Sequence, residues 1–326
     1  MPLIASLYSP PAWLRHRHIA TILPSLIPAP RAAWTRHERL ELPDGDFIDL
    51  AWRQQARPAS RDTPLPALAI LSHGLEGGLQ ASYIRGMTHT LAAAGWDVLA
   101  WNYRSCGGTP NRLLRSYHSG ESGDLRLLIE HAARTYSNIV LIGFSLGGNI
   151  TLKYAGEARP HPAVRASCAI SAPVDLASSA RALDHRPGNR LYLHRFLKTL
   201  LAKAGAKSQQ FPGSIDSARL ASIRTFRDFD EFVTAPLHGF ADAEDYWSRA
   251  SALPHLSNLC IPSLLVNALD DPLLDMPSYP VAIAAANPHF HLETPAHGGH
   301  VGFMELHQSW QPWHERRVLE FLGLFP

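Results

Sequence analysis

From residue 67 onward the chain alternates short apolar runs with longer stretches whose apolar residues recur at helical spacing. ALAILS (67–72), WDVLAW (96–101), NIVLIG (138–143), ASCAIS (166–171) and IPSLLVNA (261–268) read as strands, and so does HFHLET (289–294). Between and after them lie predicted helices over 83–94, closed by Gly95, and over 124–136, 146–157 and 313–322. In the second of these, Leu125, Leu128, Ile129 and Ala132 share one helical face. Strands that alternate with helices predict parallel pairing, and so an α/β fold whose mostly parallel central sheet carries helices on both faces.

Three segments depart from this rhythm. Residues 1–35 are rich in proline and aromatics and predict an irregular arm wrapping a domain. From residue 38 a strand, a turn at Pro43-Asp44-Gly45-Asp46 and the strand FIDLAWR predict a hairpin, and Pro58 to Pro66 a connector. Residues 176–250 hold no clear strand and predict helices (LYLHRFLKTLL, SARLASIRTF, DAEDYWSRA). A helical block inserted between two strands predicts a cap over one end of the sheet. The chain of 326 residues is therefore expected to be one large domain, with its arm and its cap insertion.

Composition narrows the partners. Thirty Lys and Arg against 28 Asp and Glu leave a net charge of +2, too balanced to predict nucleic-acid binding. The three cysteines are too few for a disulfide framework; Cys168 and Cys260 sit in apolar runs, which predicts reduced, packed thiols and a cytoplasmic location. No basic leader with a long apolar stretch opens the chain, and no run of about 20 apolar residues predicts a membrane span. Peripheral membrane contact stays open.

The chemistry gathers in four places. Gly143-Phe144-Ser145-Leu146-Gly147 is a weak signal alone, but it follows a strand and opens a helix. That is the setting of a nucleophile elbow, where a serine sits in a strained turn at a helix N-terminus. A serine hydroxyl needs a base, and the base needs an orienting acid, in the chain order Ser, Asp/Glu, His. Leu269-Asp270-Asp271-Pro272 follows a predicted strand, and His297-Gly298-Gly299-His300-Val301-Gly302-Phe303 follows the next one. Asp271, before Pro272 and an apolar pair, is preferred to Asp270. His300, before Val-Gly-Phe, is preferred to His297. His73-Gly74-Leu75 follows the first strand of the series, so the backbone N–H groups of Leu75 and Leu146 are the expected oxyanion donors.

Together with HIATILP (18–24), HGLEGG (73–78), NYRSCGG (102–108), HSGESGDL (118–125), GFSLGGN (143–149) and TAPLHGF (234–240), these segments resemble the YheT-type branch of the α/β-hydrolases. That branch includes the eukaryotic α/β-hydrolase-domain proteins one to three. The resemblance runs from about 18 to 322; it departs at Ser105, where a glycine is common. It implies the α/β-hydrolase fold, a triad of Ser145, Asp271 and His300, and hydrolysis of small or lipid-like carboxylic esters without a cofactor.

Two other classes compete. His289, His291, His297 and His300 suggest a zinc site, against which stand the alternation of His289 and His291 on one strand and the lack of a matching Asp/Cys set. A non-catalytic hydrolase-like module would need a broken triad, and a thioesterase or peptidase could use the same one. Residues 181–207 hold seven Lys and Arg against the single acid Asp184, with Leu193, Phe196, Leu197, Leu200 and Leu201 on one helical face. That face is expected to pack on the domain; the alternative is a basic helix resting on an anionic membrane.

Overall fold

The computed structural model describes residues 2–56, 67–306 and 310–324. The connector expected at Pro58–Pro66 lies outside the described residues. Nine strands form one sheet: β1 (Leu3–Ile4), β2 (Arg36–Glu41), β3 (Phe47–Arg53), β4 (Leu68–Ser72), β5 (Asp97–Asn102), β6 (Ile139–Phe144), β7 (Val164–Ile170), β8 (Ser263–Val266) and β9 (Phe290–Glu293). Their order is β1-β9-β8-β7-β6-β4-β5-β3-β2. Within this sheet, among the described residues, only the β2–β3 hairpin and the β3–β5 pair are antiparallel. The α/β-hydrolase fold expected from the sequence is the fold observed.

The central strands are buried on both faces because alternate side chains serve two cores. Leu68 and Ile70 of β4 pack with Leu99, Trp101 and Leu141, under Leu125, Leu128 and Ile129 of a helix over Ser122–Ala133. Ala69 and Leu71 face the other way, to Val98, Ala100 and Ile142, covered by Met87 and Leu91 and by Val318 and Phe321. Those two pairs come from helices over Ser82–Ala93 and Trp313–Leu322. Every apolar position of such a strand is used, which is why these segments read as continuous apolar runs.

The chain leaves β4 to β5 on one side and returns to β6 on the other, so the strand order reverses between β4 and β6. At such a reversal the loops leaving the carboxyl ends of adjacent strands diverge and open a crevice. β4 and β6 end side by side, Ser72 paired with Gly143.

The arm is more ordered than its prolines predict. β1 pairs in parallel with the edge strand β9, and α1 (Arg17–Leu26) lies against the loop before the last helix. Between β7 and β8 run α2 (Leu176–His185) and α3 (Arg190–Gln210), then shorter helical turns to Ala250. Leu193, Phe196 and Leu200 face two small apolar clusters within this block. Cys168 is buried in β7, whereas Cys260, outside β8, is exposed, contrary to its apolar surroundings in sequence.

Candidate active site

Ser145 follows β6 directly and takes φ 53° and ψ −122°, a conformation that costs a non-glycine residue about 1–3 kcal/mol. The crowding around it explains the motif. A Cβ at Gly147 would stand 2.3 Å from the Ser72 carbonyl oxygen, so only glycine lets the following helix (Leu146–Glu157) cross this close to β4. The turn projects the hydroxyl over the end of the sheet, and the Leu146 N–H heads a helix whose first turn supplies no acceptor for it.

The structure brings Ser145, His300 and Asp271 into one hydrogen-bonded chain. His300 Nε2 lies 2.8 Å from Ser145 Oγ, and His300 Nδ1 lies 2.8 Å from Asp271 Oδ2. The Asp271 side chain is fully buried, and its other oxygen accepts the Leu273 N–H at 2.9 Å. Asp270, one residue earlier, accepts the Gly299 N–H at 2.9 Å and lies 3.4 Å from His297. Burial raises its carboxyl above the ordinary value. Asp270 thus shapes the loop that carries His300, through Gly299 and His297. The four histidines considered as zinc ligands do not converge, and no group of three or more potential metal ligands occurs among the described residues.

Several supporting residues gave no signal in the sequence. Thr21 Oγ1 of α1 accepts the His300 N–H at 2.9 Å, and Ser171 Oγ accepts the Val301 N–H at 2.9 Å. Both fix the backbone of the histidine loop from segments distant in sequence. HIATILP, the segment containing Thr21, entered the resemblance with no role of its own. Arg186 and Asn189, between α2 and α3, donate to the Pro272 carbonyl at 3.1 and 2.7 Å. The block over residues 176–250 is thereby fastened to the Asp271 loop.

On the opposite side, Leu75 sits in the turn after β4. Its neighbour Glu76 has φ 54° and accepts the Tyr117 hydroxyl at 2.7 Å and the Lys203 ammonium, from α3, at 2.8 Å. Lys207 donates to the Asn111 carbonyl at 2.9 Å, and Arg186 to that of Leu274 at 2.7 Å. Three of the seven cations over 181–207 are therefore held internally, while Arg181, Arg190, Arg195 and Lys198 stay exposed. His73 is fully buried, and burial lowers its pKa to about 4, leaving a neutral ring whose Nδ1–H donates to the Gly74 carbonyl at 2.7 Å.

Two spaces meet at Ser145 and His300. A pocket of about 80 Å³ runs under the helical block, lined by Leu75, Leu146, Leu176, Leu183, Phe196 and Trp247 among others. An open cleft of about 1200 Å³ runs outward between the turn after β4, α1 and the start of α3. Asp230, which also lines the small pocket, accepts from Trp247 Nε1 and Thr234 Oγ1, both at 2.7 Å. Burial pushes its pKa up to about 7.

The family described as the alpha/beta hydrolase fold matches residues 70–305. YheT of Escherichia coli (strain K12), which bears the name of an esterase, is 35% identical over 94% of this chain and 90% of its own length. Phospholipase ABHD3 of Mus musculus is 28% identical over 93% of this chain and 75% of its own. Among solved structures, the Pyrococcus furiosus esterase Pf2001 superposes with a TM-score of 0.59 at 16% identity, covering 92% of this chain and 99% of that one. No helix among the described residues is long and apolar enough to cross a membrane.

Proposed function

The chain belongs to the YheT-like branch of the α/β-hydrolase family and is a carboxylic ester hydrolase, and from that premise we propose that it is a serine esterase forming an acyl-enzyme on Ser145. The observation that carries this reading is the unbroken chain Asp271–His300–Ser145 opening onto a pocket. His300 Nε2 accepts the serine proton as Oγ attacks the ester carbonyl. Asp271 holds the ring in the tautomer that leaves Nε2 free to accept, and stabilises the imidazolium once it forms.

The tetrahedral oxygen develops its charge against the N–H groups of Leu75 and Leu146, whose residues both line the pocket. His300 then returns the proton to the departing alcohol, and a water repeats the cycle on the acyl-enzyme. The small pocket suits a short acyl group. The open cleft suits the alcohol, and its size admits a bulky, lipid-like one. The helices over residues 176–250 act as a cap that roofs the acyl pocket. A non-catalytic module fits less well, because each hydrogen bond that activation of the serine requires is made.

Fluorophosphonate labelling tests the reading, since only an activated serine reacts readily. Wild-type protein should label and hydrolyse p-nitrophenyl esters, whereas Ser145→Ala should do neither and lose about 10⁶ in kcat. A Ser145→Ala protein that kept more than a few per cent of wild-type turnover would place the nucleophile elsewhere.

A further inference from the structure

The acyl pocket is apolar on most of its wall, as an alkyl chain requires, but it is not apolar throughout. Ser179, on the second turn of α2, is buried, lines this pocket, and its hydroxyl has no hydrogen-bond partner among the described residues. A hydroxyl buried without a partner costs about 1–3 kcal/mol, and nothing local obliges serine here, because alanine fits a helix better. Asp230 opens onto the same pocket. Its two oxygens accept one hydrogen bond each, from Thr234 and Trp247. A carboxylate oxygen has room for a second donor, so capacity to accept remains.

Ser179 and Asp230 come from neighbouring walls. Asp184, near the end of α2, accepts the backbone N–H groups of Phe226 and Arg227 at 2.7 and 3.1 Å, which docks α2 on the turn leading to Asp230. A hydroxyl that can donate or accept, lining the same pocket as an oxygen that accepts, matches one small group that also does both. That group is an alcohol. Above its pKa of about 7, Asp230 would meet an added carboxylate as a like charge, and a ketone brings no proton to donate to it.

We propose that Ser179 and Asp230 form a polar subsite within the acyl pocket that selects esters of short hydroxy-acids over esters of unsubstituted acids. The subsite deepens the serine-esterase reading and rests on it. A pocket built to hydrogen-bond a hydroxyl discriminates against the analogue lacking it, because the buried polar groups are then left unpaired. About 80 Å³ sets the scale at a few carbon atoms.

The test compares ethyl butanoate with ethyl 2-hydroxybutanoate and ethyl 3-hydroxybutanoate by pH-stat titration, reading the ratio of kcat/KM values within each protein. Wild type should favour at least one hydroxy-ester roughly tenfold to a hundredfold, and Ser179→Ala should lower that ratio by about tenfold. Asp230→Asn should lower it too. A ratio within one preparation is unaffected by a variant that folds in lower yield. Equal use of all three esters by wild type, or a ratio unchanged in both variants, overturns the subsite and leaves the esterase standing. A wild-type protein that neither labels with fluorophosphonate nor hydrolyses any of the three overturns the Ser145 reading, and the subsite with it.

Discussion

Two adjacent carboxylates meet the histidine loop differently. Asp271 reaches the His300 ring, while Asp270 receives the backbone of Gly299. In serine proteases, replacing the orienting aspartate by asparagine leaves the geometry but lowers kcat about 10⁴-fold through the wrong imidazole tautomer. The same loss is expected here for Asp271→Asn, and a loss of tenfold or less for Asp270→Asn, measured as kcat on one p-nitrophenyl ester. Reversed magnitudes would move the acid to Asp270. In the sequence, Pro272 and the apolar pair after it favour Asp271 without deciding the matter, because a one-residue choice at the end of a strand depends on how the loop turns. Ser145 is legible for the opposite reason, since the crowding that demands glycine at 147 is made by neighbours in the same motif and in β4. Thr21, 279 positions from the histidine it steadies, leaves no trace of that contact in its own surroundings.

At the scale of elements, most strands and helices were legible, because each carries its pattern within one short contiguous run. α1 was not, since Pro24 and the prolines around it hide an amphipathic turn that the histidine loop stabilises. The inward apolar face of α3 was legible; the destinations of its cations were not. Lys203 crosses from α3 to Glu76, whose side chain is only 7% exposed and which follows Leu75 directly. Removing the ammonium would leave a buried carboxylate without its counter-charge, held by the Tyr117 hydroxyl, beside the expected oxyanion donors. Lys203→Met should therefore lower kcat about tenfold with a smaller change in KM, and cost about 1–3 kcal/mol of stability. The double variant Lys203→Met with Glu76→Gln should recover part of kcat, because the uncompensated charge is gone. A double variant no better than the single one would reduce the pair to a tether.

Across the molecule, burial lowers the pKa of six imidazoles among the described residues, His18, His73, His118, His238, His255 and His314, and four of them fall far. Those of His118, His238 and His314 are lowered to about 3 and that of His73 to about 4, against an ordinary 6.5. Neither ring nitrogen of His314 has a partner among the described residues. Folded values below the unfolded ones mean that, as pH falls from 6.5 toward 4, the unfolded chain takes up protons the fold refuses, so stability falls. Each such group contributes a slope of up to about 1.4 kcal/mol per pH unit. Asp230 works the other way: raised to about 7, it favours the fold below about pH 4 and loses that contribution as pH rises through 7. Urea midpoints measured from pH 7.5 to 4.5 should decline steadily on the acid side. A flat profile would mean that these histidines are open to solvent.

The strand pairing of Leu3 with Leu292 and of Ile4 with Glu293 sets a timetable for the chain as it is made. Loop closure over so many residues comes late, because its entropy must be met before the pairing returns anything. During synthesis residues 3 and 4 leave the ribosome long before residues 292 and 293, with which they pair. Until β9 exists its partner strand has nothing to add to, and until β1 arrives β9 offers an unpaired edge to any other chain. The edge is closed by two residues, and Tyr8 secures them through its hydroxyl bond to the Met304 carbonyl at 2.9 Å and its packing on Trp313. The vulnerable moment in this protein's life is thus the interval after translation has passed residue 293 and before residues 3 and 4 have come back to it.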